Sequence, residues 1–248
     1  MNKIAICLLA YGYEHIVECN ELIEKLHIYS NILDFIIATD DINSISPLAN
    51  VVIKIKEPFN YNQKIIPIEY ALEHYDNILF MDVDMIVDTT IDFSILNNVE
   101  EGIYPIWYGT KQKHLEGIPI SIYSILKSKS KFADVNEYGK VINEIVDTSD
   151  NVFLIDEFLF FIKSTNILQK KNFINQWKSL HLKTFDVSPF DRYGNRQGSL
   201  EGILISLSAS KSNLKIKSNT KVDNLFNSFT HHVSFEKIKP NLKKESII

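Results

Sequence analysis

The stretch Asn77-Ile78-Leu79-Phe80-Met81-Asp82-Val83-Asp84-Met85-Ile86-Val87-Asp88 decides how the rest of the chain is read. A short apolar run ends in two aspartates one residue apart, and apolar residues resume at once. An apolar run of this length beside a helical pattern reads as a buried strand of a parallel sheet. In open α/β sheets the C-terminal end of such a strand is where ligands bind. Residues i and i+2 of an extended strand point the same way, so Asp82 and Asp84 can converge on one hard cation. Mg²⁺ and Mn²⁺ take oxygen ligands of this kind and keep positions open for phosphate oxygens. The expectation is therefore a divalent metal on Asp82 and Asp84, with a nucleotide diphosphate on the metal. The bland alternative is a strand that ends in solvated aspartates, but the flanking apolar residues leave little exposed loop for it.

Strand and helix patterns alternate upstream of this stretch. Residues 3–9 read as a first buried strand, closed by Tyr11-Gly12-Tyr13. Ile16, Cys19, Ile23 and Leu26 then fall near one helical face. Asp34 to Thr39 is a second strand ending in Asp40-Asp41, and Val51 to Ile55 a third. A helix is clear from about Pro67, with Ile68, Ala71, Leu72 and Tyr75 at helical spacing. Proline suits a first turn, which leaves Lys64 on the segment entering that helix. Strands separated by helical patterns mean βαβ units and a mostly parallel sheet, an α/β fold.

Downstream the alternation loosens. Gly102 to Trp107 reads as another strand, and residues 108–150 as an insertion or mobile segment. Val152 to Phe161 is an apolar run broken by Asp156-Glu157. Residues 165–180 read as a helix with Leu168, Phe173, Ile174, Trp177 and Leu180 apolar, and 184–199 as a loop. Leu200 to Ser208 reads as a short helix opening with Glu201, 214–217 as a last strand, and the end as a basic tail. No internal repeat or linker divides the chain. One domain is expected over 1–248, with a nucleotide-binding half at 1–107 and an acceptor-side half at 108–248.

Composition sets the outer bounds. The chain has 248 residues, 45% apolar and 23% charged, which suits one sizeable folded core. A formal net charge of −5 argues against nucleic acid as a partner. Cys7 and Cys19 read as small core hydrophobes, with no disulfide framework. The apolar segment after Lys3 is too short for a signal sequence, and no span reaches membrane-crossing length, so a cytoplasmic protein is expected. Lys237, Lys239, Lys243 and Lys244 form a basic end. It is either a solvated tail or a peripheral contact with the inner, anionic membrane face.

Other side chains could complete the aspartate site. His231-His232-Val233-Ser234-Phe235-Glu236-Lys237 offers a histidine as a third metal ligand and a lysine to neutralise a diphosphate. Asp156 and Glu157 interrupt an apolar run, so one of them is expected to line a polar cleft. Neighbours on a strand point oppositely, and which one faces the cleft stays open. Glu201 is either a helix-start acid favoured by the dipole or a group that holds a substrate hydroxyl.

These residues carry a resemblance. An aspartate pair at a strand end, late in a nucleotide-binding α/β half, resembles the DXD motif of GT-A fold glycosyltransferases. Asp82-Val83-Asp84-Met85 is similar to the form found in retaining galactosyl- and N-acetylgalactosaminyl-transferases of the blood-group type. The tail resembles the HxxGxxK motif of glycogenin-like retaining transferases, family 8. His231 and Lys237 match it, and Ser234 stands where that family has glycine, which adds a Cβ where backbone approaches phosphate. The resemblance implies a GT-A-like, Rossmann-type sheet flanked by helices. It implies that Ala10 and Tyr11 contact base and ribose, that Asp40 sits near uracil or ribose, and that Lys64 touches donor phosphate or sugar. It further implies Asp82 shared between ribose and metal, Asp84 and His231 on Mn²⁺ or Mg²⁺, and Lys237 on the leaving diphosphate. Glu201 would face the donor sugar. The implied activity is sugar transfer from a UDP-sugar to a hydroxyl of a glycan, lipid-linked or protein acceptor, with retention. An inverting route would use Glu201 as base.

Two other classes compete. Haloacid-dehalogenase phosphatases also place Asp-x-Asp after a buried strand, but near the chain start and with a Thr or Val where this chain has Ile86. A non-catalytic nucleotide-sugar or glycan-binding module on the same fold would bind the donor without turnover.

Overall fold

The computed structural model describes residues 3–56, 60–87, 90–105, 141, 144–145, 155, 158–185 and 201–231. The chain is α/β, built on a six-stranded, mostly parallel sheet flanked by helices. In chain order the strands and helices are β1 (Ile4–Ala10), α1 (Tyr13–Tyr29), β2 (Leu33–Thr39), β3 (Val51–Lys54), α2 (Ile65–His74), β4 (Asn77–Met81), β5 (Met85–Val87) and α3 (Ser94–Asn97). They continue with β6 (Gly102–Pro105), β7 (Leu159–Lys163), α4 (Ile167–Thr184), α5 (Glu201–Lys211), α6 (Thr220–Phe226) and β8 (Phe229–His231).

The large sheet has the order β3-β2-β1-β4-β7-β6. β3, β2, β1 and β4 run parallel, and β7 is antiparallel to both its neighbours. β5 and β8 form a separate antiparallel pair.

Strand alternation distributes the core into two layers. Ile4, Ile6 and Leu8 of β1 face one layer with Ile16, Cys19, Leu22, Ile23 and Leu26 of α1. Ala5 and Cys7 face the other, with Ile68, Ala71 and Leu72 of α2 and Phe173 and Trp177 of α4. The same period runs through β4, where Leu79 and Met81 join the first layer and Ile78 and Phe80 the second. Both faces are covered, as parallel strands require. Cys7 and Cys19 are free and buried, and burial pushes both thiols up, Cys19 to about 12.

Several expectations need correction. The run from Asn77 to Asp88 is not one strand: β4 stops at Met81 and β5 starts at Met85. Asp82 and Asp84 lie on the turn between them, closed by the Met85 N–H donating to the Asp82 carbonyl at 3.3 Å. α2 begins at Ile65, two residues before Pro67, because a short 3-10 turn over Tyr61–Lys64 winds into it. The Asn60 side chain accepts from the Asn62 N–H at 2.8 Å, and the Gln63 side chain accepts from the Asn60 N–H at 3.2 Å, which caps that turn. Leu168, one of the apolar residues named in that helix, is 68% exposed. The strand expected at 214–217 is a single bridge, Ile103 to Ile216. It brings the Lys215 carbonyl so close to Gly102 that a Cβ there would sit 2.7 Å from it. No helix among the described residues is long and apolar enough to cross a membrane.

The sheet's amino-terminal edge is fastened by Asp34. This buried carboxylate accepts from Lys3 Nζ at 2.7 Å and from the Tyr75 hydroxyl at 3.0 Å. Burial, and then the bond to Asp34, raises the Tyr75 hydroxyl from 10.0 to about 12. Between those values the unfolded chain has lost a proton that the native state keeps, so stability falls as pH rises. Tyr75→Phe is expected to flatten that decline between pH 10 and 12, read as the slope of the urea midpoint against pH.

Candidate functional site

The chain adds β2 and β3 on one side of β1, then returns to place β4 on the other. Strand order reverses between β1 and β4, and the crevice outside the carboxyl ends at such a reversal is the usual ligand position in open α/β sheets. Ala10, Tyr11, Asp40, Asp82 and Asp84 all lie at that edge, because each ends or follows β1, β2 or β4. The fold therefore gathers these five expected site residues from separate parts of the sequence.

The β1 side is built from the loop to α1. Ala10 is fully buried in the core, and Tyr11 is half-buried beside Leu9, Ala38, Ile55 and Ile66. Tyr11, not Ala10, presents surface. Gly12 follows with φ 81° and ψ 160°, a conformation essentially restricted to glycine. Its N–H donates to Asp40 Oδ1 at 2.9 Å, which joins the loops after β1 and β2. Asp40 thus has a structural task at the start of α1, where a carboxylate also complements the helix dipole. The neighbouring Asp41 holds the next turn. Bonds from the Ser44 hydroxyl and the Asn43 N–H lower its carboxyl below the ordinary value.

The β4 side is organised by Lys64. Its ammonium lies 2.9 Å from Asp82 Oδ1 and 3.2 Å from Oδ2. It also sits 5.3 Å from the centre of the Phe80 ring. The Lys64 side chain is only 6% exposed and that of Asp82 25%. An unpaired ammonium at this depth would cost several kcal/mol, and the carboxylate and ring offset that cost. Phe80 faces the α2 side of the sheet, and the turn that follows β4 puts the Asp82 carboxylate against Lys64, which the turn before α2 delivers there. Lys64 is therefore a buried, ion-paired lysine at the entry to α2.

The turn is also tied on its other side. The Asp82 N–H donates to the Phe158 carbonyl at 2.8 Å, and Phe158 is the residue after Asp156-Glu157 in the chain. β8 pairs with β5 so that His231 lies opposite Met85, the residue after Asp84. The backbone of a residue distant in sequence is thus brought beside the aspartate turn. Asp156, Glu157 and Lys237 lie outside the described residues, as do the side chains of Glu201 and His231. Among the described residues, no three His, Cys, Asp or Glu side chains gather into a metal-binding group. The buried Lys64–Asp82 pair and the Gly12–Asp40 bond are what sequence reasoning missed. Asparagine and glutamine spaced as a cap at 60 and 63 were the available signal that Lys64 ends a helical turn.

No family model and no curated protein matches this chain.

Gly12→Ala is expected to cost about 1–3 kcal/mol, seen as a lower urea midpoint. Asp40→Ala should cost less, since Gly12 can then find water, and an unchanged midpoint for Gly12→Ala would show that the loop relaxes freely.

Proposed function

We propose that this chain is a metal-dependent glycosyltransferase of GT-A type. It would move a sugar from a nucleotide diphosphate donor, a UDP-sugar, to a hydroxyl on a glycan, lipid-linked or protein acceptor, with retention. One observation carries the proposal: the half-buried aspartate turn at the carboxyl end of β4, beside β1, where the strand order reverses. Pairing of β8 with β5 supports it by bringing His231 alongside that turn.

The donor set suits the metal by its chemistry. Two carboxylates from one short turn are hard oxygen ligands of the kind Mg²⁺ and Mn²⁺ take, and the matching histidine suits Mn²⁺. A bound cation would supply neutralisation of charge on the departing diphosphate. In this proposal Asp84 is a metal ligand, and Asp82, which also pairs with Lys64, is shared between metal and ribose. Tyr11 offers an aromatic edge to the base, and Asp40 fixes the loop that presents it. In the transfer the anomeric carbon–oxygen bond to the diphosphate breaks and a bond to the acceptor oxygen forms on the same face. The acceptor proton passes to the leaving phosphate oxygen. Lys237 and one of Asp156 and Glu157 are assigned by resemblance and sequence to the leaving group and the cleft, and Glu201 to the donor sugar. A cytoplasmic location, with the basic tail as the membrane contact, completes the proposal.

The experiment is a panel of UDP-sugars with Mn²⁺, reading UDP release. Asp84→Asn is expected to lower turnover roughly 100-fold or more while its thermal midpoint stays within a few degrees of wild type. Unchanged turnover in that variant removes the metal assignment. Hydrolysis of p-nitrophenyl phosphate in place of UDP-sugars would make the protein a phosphatase. Donor binding without turnover would make it a binding module.

A further inference from the structure

Lys64 stands where its charge opposes the metal that Asp82 is expected to help hold. A cation at a bond length of about 2.1 Å from Asp82 Oδ1 cannot be more than about 5 Å from Lys64 Nζ, which lies 2.9 Å from the same oxygen. Both charges would be positive, and the 6% exposed Lys64 side chain leaves little water to screen them. The start of α2 lies at Lys64 and adds its own partial positive charge. A diphosphate reverses the balance, because it can accept from an ammonium with three donors on a flexible stem.

We propose that Lys64 is a shared counter-charge that makes cation and diphosphate bind as a unit. It holds Asp82 and resists a cation alone, then passes to the diphosphate and frees the Asp82 carboxylate for the cation. Lys64 is thereby a positioning residue for Asp82 and the device that couples the two ligands. This rests on the glycosyltransferase proposal, and binding of each ligand must then raise affinity for the other by the same factor.

Isothermal titration with Mn²⁺ alone, UDP alone in chelator, and both together tests the coupling on the full chain. In wild type each ligand is expected to tighten the other by roughly tenfold or more. Lys64→Met should bind Mn²⁺ alone more tightly than wild type, with the coupling reduced about fivefold. Asp82→Asn, with the Lys64–Asp82 ion pair removed, should bind UDP in chelator more tightly than wild type, an outcome that loss of a merely structural contact would not produce. Lys64→Met binding Mn²⁺ no more tightly, or keeping full coupling, overturns the proposal. If circular dichroism shows Lys64→Met unfolded, Asp82→Asn decides, and unimproved UDP affinity there overturns it. Asp84→Asn separates the two levels: wild-type affinity for Mn²⁺ with UDP in that variant brings down the functional proposal itself, and the coupling with it.

Discussion

The parallel pairing of β1 with β2 on one side and β4 on the other is the constraint from which the rest follows. β1 is bonded to β2 along its whole length and to β4 from Ile4 to Cys7. Every residue of β1 is buried. A strand covered on both faces needs a helical layer on each, which α1 and α2 supply. Parallel neighbours also need crossovers, so chain ends of like polarity collect at one edge. The loops after β1, β2 and β4 meet there because the ladder leaves them nowhere else to go.

The alternation of β4 then decides the electrostatics of that edge. Phe80 faces the layer of α2, and Asp82 emerges on the same side with Lys64 above the ring. A buried ammonium is tolerable only with a partner that neutralises it. The carboxylate that looked available for a ligand is therefore also a structural counter-ion. In the proposed site the two tasks compete for one group.

Much of the architecture was legible in the chain. Ile16, Cys19, Ile23 and Leu26 were assigned to one face of α1 and are buried together. The first four strands and the mostly parallel sheet followed from apolar runs alternating with helical patterns. Hydrophobicity alone does not say which side of a helix meets the core: α4 turns Phe173, Ile174 and Trp177 inward and leaves the equally apolar Leu168 exposed. α6 and β8 were missed because Thr220 to His231 is short and mixed, and β8 exists through its pairing with β5. Asp82 and Asp84 were placed on a strand because periodicity cannot tell a continuous run from two strands joined by a tight turn.

The sequence by itself determined the fold class and the edge to inspect. Burial periodicity is a local property, and a carboxylate pair after an apolar run is visible without any contact. Only the tertiary structure decided that Lys64 pairs with Asp82, that Gly12 is held by Asp40, and that His231 comes beside Met85. Each joins residues far apart in the chain, through turns and short strands whose placement depends on the sheet already being formed. Long-range electrostatics depend on distance and burial, and neither quantity exists until the strands are in register.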